Sequence, residues 1–456
     1  MDFEQYMTKD KKGHLVGIGG VSMSPLAEVL KGLGLDIRGS DMNDSEKVEY
    51  LRSIGIDVKI GHSAGNLAPD TDFVIRTAAA RDDNPEISAA RERGIPVFER
   101  TQAWGAIMRD YKNALCIAGT HGKTTTTSMS THILMAAQRD PTVMIGGTLP
   151  LLKASHRVGA GDTIVMESCE YYNSFLSFNP TVAVILNIEE DHMDFLKDLD
   201  DIKSSFRKFA ALVPENGFIV ANADDENTMD ALRPLNRELV TFGLSENAQV
   251  RAENIRFLGA QTEFDIINRG EKFAHVSLRV PGMHNVKNAL AATAGAICLG
   301  MDSTAVTYGL AGFTGAERRF EFKGKFNGAD VYDDYAHHPG ELKVLFDAVE
   351  KLGYKRVITV FQPHTSSRTK AFFDDFVQQL RRPDICYLAD IYAAREKNTL
   401  VISSADLAKE IPSAVYLGSF DELEADLKRT AQPGDIILTV GAGDVYKLGE
   451  HLIGQK

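Results

Sequence analysis

The sequence of 456 residues predicts an α/β protein of three domains, built from helices that alternate with strands of parallel sheets. Short apolar runs are followed by a glycine-rich or polar turn and then by apolar residues at helical spacing, and segments of this kind recur along the chain. The length is typical of roughly two to four domains. The predicted joints lie near residues 107–113 and 309–315.

The predicted elements follow one another in the same order in each segment. The first strand covers residues 14–18 and precedes a helix over 26–33, and the second covers 114–118 and precedes a helix over 129–137. A further helix is predicted over 288–299. The last segment contains strand-like runs at 331–334, 356–361, 385–388 and 436–440. Runs at 238–242, 262–267 and 274–280 are expected to form a small extra sheet in the middle domain.

Composition excludes several classes of protein. The formal net charge is −13, and this acidic surplus argues against a general nucleic-acid binder. The four cysteines are far apart and form no CxxC pair, which argues against a zinc knuckle or a disulfide framework. The first residues include no apolar signal-peptide core, and no stretch approaches the ~20 apolar residues of a membrane span. We therefore expect a cytoplasmic protein without a nucleic-acid or membrane partner.

A phosphate-binding loop is the sharpest motif. The strand over 114–118 leads into Gly-Thr-His-Gly-Lys-Thr-Thr, a tight turn that opens a helix. Backbone N–H groups of such a turn cradle phosphates, while the lysine reaches the β- and γ-phosphates and the threonine hydroxyl binds Mg²⁺. Ile117 replaces the first glycine of the strict pattern. The predicted ATP-binding residues are Gly119, Thr120, His121, Gly122, Lys123, Thr124 and Thr125.

Two further polar groups follow buried-strand patterns. Glu167 ends the run over 162–167, and His192 follows the run over 181–187. Ligands of open parallel sheets sit at the carboxyl ends of the strands. We therefore predict that Thr124, Glu167 and His192 hold a Mg²⁺ ion that keeps water and phosphate oxygens as its other ligands.

A second glycine loop lies near the N-terminus. Gly17-Ile18-Gly19-Gly20-Val21-Ser22 follows a strand, and Asp41 ends the next strand about twenty residues later. This resembles a dinucleotide fingerprint with Ser22 in place of the third glycine. Such a turn binds the pyrophosphate of a nicotinamide cofactor or of a UDP-sugar, so the pattern alone leaves a dehydrogenase as an alternative.

Taken together, these motifs occur in an order that resembles the Mur ligase family over nearly the whole chain. The resemblance covers both glycine loops, the acidic and histidine-rich stretches between and after them, and motifs near the C-terminus. The matching stretches are GIGGVSMSPLAEVL with GSD (17–41), DNPEI (83–87), AGTHGKTTTT (118–127), NIEEDHMD (187–194), HNVKNALAA (284–292), RRFE (318–321), DDYAHHP (333–339), FQPHTSSRT (361–369) and GAGD (441–444).

The resemblance implies a Rossmann-like UDP-sugar domain over 1–109, a central phosphate-loop ATPase domain with a mostly parallel sheet over 110–313, and a Rossmann-like amino-acid domain over 314–456. It implies ATP- and Mg²⁺-dependent ligation of L-alanine to the lactyl carboxylate of UDP-N-acetylmuramate, through an acyl phosphate, in peptidoglycan precursor synthesis. The alternatives within enzymes are a ligase that attaches a whole peptide during murein recycling and a paralogue with another amino-acid preference.

The same resemblance implies roles for individual residues. Lys123, Arg319 and His337 are expected to be catalytic, and Arg368 is expected to bind the amino-acid carboxylate. The other expected ligand contacts fall into three groups. They are His284, Asn285, Asn288, Arg319 and Asp334 for ATP; Gly19, Gly20, Ser22, Asp41, His62 and Asn84 for the UDP-sugar; and Tyr335, His337 and Arg368 for the amino acid.

Two stretches depart from the family pattern. Residues 167–173 read ESCEYYN where the family usually reads EADESD, which keeps Glu167 but changes its neighbours. Thr365 stands where the family usually has the first arginine of its amino-acid clamp. The altered 168–173 stretch leaves a nucleotide-binding protein without catalytic activity as a further alternative. Glu170, Asp191 and Asp194 are interpreted as surface groups or as groups that support the metal site.

Overall fold

The computed structural model describes residues 2–77, 79–191, 195–394, 396 and 402–454. These residues form three sheets flanked by helices, which confirms the predicted three-domain α/β class. The strands are β1 (Lys12–Val16), β2 (Asp36–Asp41), β3 (Asp57–Ile60), β4 (Phe73–Arg76), β5 (Val97–Glu99), β6 (Asn113–Ala118), β7 (Thr142–Leu149), β8 (Ala154–Arg157), β9 (Thr163–Glu167), β10 (Val182–Ile185), β11 (Phe218–Asn222), β12 (Leu239–Gly243), β13 (Val250–Leu258), β14 (Gln261–Asn268), β15 (Glu271–Leu278), β16 (Glu321–Phe326), β17 (Ala329–Asp334), β18 (Arg356–Phe361), β19 (Ile385–Leu388), β20 (Ala414–Tyr416) and β21 (Asp435–Val440).

The helices connect most of the strands and supply the outer layers. They are α1 (Met23–Gly32), α2 (Glu46–Ser53), α3 (Pro85–Glu92), α4 (Arg100–Met108), α5 (Lys123–Ala136), α6 (Leu199–Ala211), α7 (Glu226–Leu232), α8 (Met283–Cys298), α9 (Ser303–Gly312), α10 (Pro339–Val349), α11 (Ser366–Ala371), α12 (Phe373–Leu380), α13 (Ser404–Glu410), α14 (Phe420–Thr430) and α15 (Tyr446–Leu452). No helix of the described residues is long and apolar enough to cross a membrane.

The first sheet has the strand order β3-β2-β1-β4-β5, and its neighbouring strands are parallel. This is the Rossmann order, in which the chain reverses direction across the sheet between β1 and β4. The glycine loop leaves β1 at that switch point. The sheet therefore places the loop where Rossmann-like sheets bind their ligands.

The central sheet has the order β15-β14-β13-β12-β11-β10-β6-β9-β7-β8. Strand β6, which leads into the phosphate loop, lies between β10 and β9 and is parallel to both. The predicted runs near 238–242, 262–267 and 274–280 are strands β12, β14 and β15. The expectation of a separate small sheet was wrong, because these strands extend the central sheet instead.

The third sheet has the order β16-β17-β21-β18-β19-β20, with only the edge pair β16–β17 antiparallel among its pairings. Every residue of the central strand β21 is buried. Ile436, Leu438 and Val440 pack in one apolar cluster, and Ile437 packs in another. Successive side chains of a strand point to opposite faces, so this strand has apolar layers on both sides, as parallel sheets require.

The chain forms two compact units. One comprises residues 1–253, 265–276 and 287–312 and contains the first sheet and the phosphate loop. The other comprises residues 254–264, 277–286 and 313–456 and contains the third sheet. The boundaries proposed for three domains, at 109/110 and 313/314, remain a prediction.

Gly105 marks a close approach in the first unit. A Cβ at this position of α4 would overlap the carbonyl oxygen of Ser177, and Asn179 Nδ2 donates to the Gly105 carbonyl at 2.8 Å. Gly105→Ala is therefore expected to lower the free energy of unfolding by about 1–3 kcal/mol, measured by denaturant titration. Gly32→Ala, in α1, is the matched control because nothing lies within 4 Å of its added Cβ. Equal stability of the two variants would contradict the close approach.

Candidate functional site

The phosphate loop follows β6 and ends at α5. Gly119 has φ +147° and Gly122 has φ +84°, conformations that L side chains rarely adopt. A Cβ at Gly122 would also lie 2.6 Å from Asn288 Oδ1. The loop therefore needs both glycines, and the amide groups at the start of a helix such as α5 can bind an anion.

Asn187 holds Thr120 and His121 of the phosphate loop by hydrogen bonds. Its side-chain Oδ1 accepts from His121 N at 2.8 Å, and its Nδ2 donates to the His121 carbonyl at 3.1 Å. Its own carbonyl accepts from Thr120 N at 3.1 Å. Thr120 Oγ1 also accepts from Glu189 N at 2.9 Å. The chain after β10 thus holds the phosphate loop by reciprocal hydrogen bonds.

Lys123 makes a buried ion pair with Glu170. Its Nζ lies 3.0 and 3.2 Å from the two carboxylate oxygens and donates to the carbonyls of Gly119 and Thr120 at 2.5 and 3.2 Å. Glu170 is only 2% exposed. Burial by itself lowers the pKa of Lys123, but the Glu170 carboxylate outweighs it and raises this pKa above its ordinary value. Lys123 therefore remains a cation, and Glu170 is a buried counter-ion rather than a surface group.

Two of the three predicted metal ligands lie together. Thr124 Oγ1 donates to Glu167 Oε1 at 3.0 Å, and Glu167 Oε2 accepts from Gly146 N at 2.6 Å. The hydroxyl and carboxylate oxygens fit Mg²⁺, which prefers hard oxygen ligands. His192 and Asp194 lie outside the described residues. The oxygens of Thr124 and Glu167 would fit a metal beside the phosphate loop, and that metal site remains a prediction.

The predicted adenine and nucleotide contacts lie at the start of α8. Asn288 is buried next to Gly122, as noted for the loop. Asn285 is buried and donates from Nδ2 to the Pro281 carbonyl at 2.7 Å. His284 packs against Gly282, and burial lowers its pKa to about 4. His284 is therefore a neutral imidazole at physiological pH.

The N-terminal glycine loop is tied to the predicted ribose acid. Gly19 N donates to Asp41 Oδ2 at 2.9 Å, and the Gly20 carbonyl accepts from Met23 N at 3.0 Å. Ser22 precedes α1, where its Oγ accepts from Arg100 Nε at 3.2 Å and its carbonyl accepts from Trp104 Nε1 at 3.3 Å. The predicted loop residues and the acid are thus neighbours.

His62 and Asn84 both lie next to Glu86, His62 at its buried carboxylate and Asn84 at its backbone. Asn84 Oδ1 caps α3 by accepting from the backbone N of Glu86 at 2.9 Å, and His62 Nδ1 lies 3.6 Å from Glu86 Oε1. Glu86 is fully buried and accepts from His14 Nε2, Ser40 Oγ, Ser63 N and Asn66 Nδ2 at 2.6–3.1 Å.

These donors govern the charge of Glu86. Burial alone raises its pKa, but the hydrogen bonds from His14, Ser40 and Asn66 outweigh burial and lower the pKa to about 2. The folded state therefore binds the Glu86 proton less tightly than the unfolded chain does. The resulting stabilisation is present above about pH 4.5, the ordinary value, and is lost as the pH falls towards 2.

Glu86→Gln tests this linkage. The variant is expected to be less stable than the wild type at pH 7, by about 1–3 kcal/mol, and to lose less stability between pH 4.5 and 2. Urea titrations across this pH range measure both effects. Parallel curves for the two proteins would show that Glu86 is not the titrating group.

The third sheet gathers the predicted C-terminal residues at its carboxyl edge. Asp334 ends β17 and accepts from the backbone N of Phe320 and of Ala336 at 2.7 and 2.8 Å. Burial raises the pKa of Asp334 to about 6, against the opposing effect of the Arg319 guanidinium. Arg319 lies over the Tyr335 ring at 5.1 Å. Arg319, Asp334 and Tyr335 therefore form one cluster.

A second cluster carries the predicted amino-acid contacts. The Tyr335 and His337 rings meet edge to face at 5.4 Å, and His337 meets His364 at 5.5 Å. Arg368 NH1 lies 3.4 Å from His364 Nδ1. His337 Nδ1 also lies 3.2 Å from Glu341 Oε2. His364 thus joins Tyr335 and His337 to Arg368, which the sequence separates by about thirty residues.

Thr365 shapes the start of α11, which carries Arg368. Thr365 has φ +66° although it is β-branched, a strained conformation. Its Oγ1 accepts from Arg368 N at 3.5 Å. Glu396 accepts from Ser366 N at 2.9 Å, from Ser367 N at 3.2 Å and from the Ser367 hydroxyl. The threonine and the glutamate together hold the turn that presents Arg368.

Sequence reasoning did not assign several residues that the structure places at these sites. Asn187 and His364 lie inside the stretches that match the family, so proximity to the motif was a usable signal. Glu170 was interpreted as a surface group or a group that supports the metal site, and its role as the counter-ion of Lys123 was missed. Glu86 lies in the DNPEI stretch but was given no role. Glu396 carried no signal, because its partners are about thirty residues away in sequence.

The fold and these sites define a nucleotide-dependent ligase of three α/β domains, and the chain belongs to the Mur ligase family. Residues 12–112 match the family's domain described as "Mur ligase family, catalytic domain". Residues 117–296 match "Mur ligase middle domain", and residues 318–443 match "Mur ligase, glutamate ligase domain".

Two curated relatives and two solved structures show which members of the family this chain is similar to. UDP-N-acetylmuramate–L-alanine ligase of Clostridium novyi is 45% identical over the full length of both chains. The ligase of the same name from Acetivibrio thermocellus is 45% identical and covers 98% of this chain and 97% of its own. The crystal structure of UDP-N-acetylmuramate-alanine ligase MurC from Thermotoga maritima is 30% identical, with a TM-score of 0.81 and coverage of 97% and 98%. A murein peptide ligase from Psychrobacter arcticus has a TM-score of 0.70 at 25% identity, with coverage of 97% and 98%.

Proposed function

We propose that this protein is an ATP-dependent amide ligase that joins L-alanine to the lactyl carboxylate of UDP-N-acetylmuramate, with release of ADP and phosphate. The observation that carries the proposal is the full-length similarity to the Clostridium novyi ligase, because it spans all three sheets rather than the phosphate loop alone. The retained Lys123, Thr124, Glu167, Arg319 and Asp334 support an active enzyme rather than a nucleotide-binding protein without activity.

The first chemical step brings two anions together. A lactyl carboxylate oxygen attacks the γ-phosphorus of ATP, the bond to the bridging β–γ oxygen breaks, and ADP leaves an acyl phosphate behind. Fixed positive charge is the physical requirement for this step. Lys123 supplies such charge at the phosphate loop, since Glu170 keeps it protonated. Arg319 is proposed to act on the same phosphoryl group.

A metal ion adds to this charge when bound. Thr124 and Glu167 would hold Mg²⁺ through their oxygens, together with the predicted ligand His192, and the ion would neutralise charge on the phosphate oxygens. The loop amides before α5 are proposed to bind the phosphates beside this ion, because Gly119 and Gly122 give the loop its tight turn.

The second step forms the amide bond. The amine of L-alanine attacks the acyl carbon through a tetrahedral intermediate, and phosphate leaves. Arg368 is proposed to hold the alanine carboxylate in a bidentate pair, and Tyr335 and His337 to line the same site. His337 is proposed to accept the ammonium proton, because its ring lies next to the Glu341 carboxylate, which stabilises the imidazolium.

Phosphate release in the presence of UDP-N-acetylmuramate, ATP, Mg²⁺ and one amino acid at a time tests the proposal. Release with L-alanine that depends on both the UDP-sugar and the amino acid is the expected result. The panel includes glycine, L-serine and the murein tripeptide, because the fold is shared with a murein peptide ligase and Thr365 departs from the family pattern. Release only with the tripeptide would establish the recycling activity instead, and release that ignores the UDP-sugar would contradict ligation.

A further inference from the structure

Ser40 connects the N-terminal glycine loop to His62. The Ser40 carbonyl accepts from Gly17 N at 2.8 Å and from Ile18 N at 2.9 Å. Its hydroxyl lies 2.6 Å from Glu86 Oε2 and 3.0 Å from His62 Nδ1. Ser40 is fully buried, as is Glu86. One residue of β2 therefore holds the turn after β1 with its backbone and His62 with its side chain.

The direction of each hydrogen bond follows from counting protons. An ionised carboxylate only accepts, and Glu86 is ionised because the hydrogen bonds from His14, Ser40 and Asn66 outweigh burial and lower its pKa. Ser40 has a single hydroxyl proton and must give it to Glu86. Its oxygen is then an acceptor for the neighbouring imidazole, so His62 must donate from Nδ1.

These hydrogen-bond directions leave Nε2, the other ring nitrogen of His62, as an acceptor. A neutral imidazole carries one proton, and with Nδ1–H engaged, Nε2 holds a lone pair. No group of the described residues forms a hydrogen bond with Nε2, and the side chain retains 15% exposure. His62 follows β3, and the adjacent Gly61 N donates to the carbonyl of the predicted ribose acid Asp41 at 2.8 Å. The lone pair thus lies at the carboxyl edge of the first sheet, where a nucleotide is expected.

We propose that Glu86 and Ser40 are positioning residues that fix the tautomer of His62, so that His62 Nε2 accepts a hydrogen bond from an N–H or O–H donor of the uridine moiety. This inference rests on the proposed function, since it takes the UDP-sugar as the ligand of the first sheet. The imide N–H of the base and the hydroxyls of the ribose are the donors that uridine offers. A nucleotide that presents an acceptor at this point is disfavoured, because two lone pairs would then face each other.

The tautomer of His62 can be measured directly in the wild-type protein, with a variant used only to assign the signal. Nitrogen-15 NMR of histidine-labelled protein above neutral pH is expected to show His62 with a protonated Nδ1 and a bare Nε2. The spectrum of His62→Gln identifies the signal by its disappearance. A protonated Nε2 on a neutral His62 would overturn the inference.

Glu86→Gln is expected to reverse the direction of the two hydrogen bonds that the Ser40 hydroxyl makes with residue 86 and with His62. Its amide NH₂ would donate to Ser40 Oγ, because the carbonyl end is retained by Ser63 N and Asn66 Nδ2. The Ser40 hydroxyl would then donate to His62 Nδ1, and the proton of His62 would move to Nε2. The variant is expected to bind UDP about tenfold or more weakly by calorimetry, with ATP affinity unchanged. Ser63→Ala is the matched control, because Ser63 contacts Glu86 through its backbone N alone.

Ligand analogues identify the donor. N3-methyl-UDP lacks the imide proton, and 2′-deoxy-UDP and 3′-deoxy-UDP each lack one ribose hydroxyl. The analogue that lacks the donor to His62 is expected to lose affinity for the wild type but to show no further loss with Glu86→Gln. Equal UDP affinity of Glu86→Gln and the wild type would overturn the inference while leaving ligation untouched. Failure of the wild type to bind any uridine nucleotide would instead refute the proposed function.

Discussion

Replacing Lys123 with alanine is expected to lower ligase turnover by at least about 100-fold, the scale observed when one preorganised electrostatic group is removed from a reaction centre. The substitution removes the cation that is proposed to meet the phosphates at the loop, and neither the loop amides nor a bound metal would restore that charge. Phosphate release at saturating substrates measures the effect. Lys208→Ala is the matched control, since Lys208 is an exposed lysine of α6.

The same substitution leaves Glu170 buried without its counter-ion, so a loss of stability accompanies the loss of turnover. The double variant Lys123→Ala/Glu170→Gln separates the two effects. Neutralising position 170 is expected to recover much of the stability, measured by thermal unfolding, but none of the turnover. Near-normal amide formation by either variant would refute the role of Lys123, and recovery of turnover in the double variant would assign the loss to misfolding.

Replacing Arg368 with lysine is expected to raise the KM for the amino acid about 10- to 100-fold and to leave the KM for ATP nearly unchanged. A planar guanidinium binds a carboxylate through two parallel hydrogen bonds, whereas an ammonium group forms a point contact. Thr365 stands where the family usually has the first arginine of its amino-acid clamp. Position 365 therefore supplies no second guanidinium to bind the carboxylate. Initial rates with each substrate varied in turn measure the two constants.

Arg381→Lys supplies the control for this prediction. Arg381 follows α12 in the same unit and donates to the Glu410 carbonyl at its surface. The control variant is expected to keep both KM values. Equal increases in the two KM values of Arg368→Lys would indicate a general disturbance of the C-terminal unit rather than loss of a carboxylate clamp.

The strands and helices were predicted from patterns of neighbouring residues, and the structure confirms elements of this kind. The run over 114–118 is β6, and the helix predicted over 129–137 matches the second half of α5, which ends at Ala136. A buried strand and a helix each bury a face that their own residue spacing defines. The expected extra sheet failed for a different reason. Apolar alternation identifies a strand but not the strand that it pairs with, and β12 pairs with β11 of the central sheet.

The candidate site also has a part that the sequence indicates and a part that it does not. Lys123, Thr124 and their glycines are adjacent in sequence, so the motif itself indicates phosphate chemistry. Glu170 reaches Lys123 across 47 positions, and its side chain was predicted to lie at the surface or in support of the metal site. The buried pairing depends on the parallel alignment of β9 with β6, which places the chain after Glu167 beside the loop.

By itself, the sequence determined the order of strands and helices, the two glycine loops and the chemical groups available at each strand end, since all of these are encoded by neighbouring residues. Tertiary structure alone decided which of those groups meet. Glu86 pairs with His14 from 72 positions away, and Glu396 reaches Ser366 from 30. The physical reason is that hydrogen bonds and ion pairs require side-chain distances near 3 Å, and only the order and alignment of strands in a sheet set those distances.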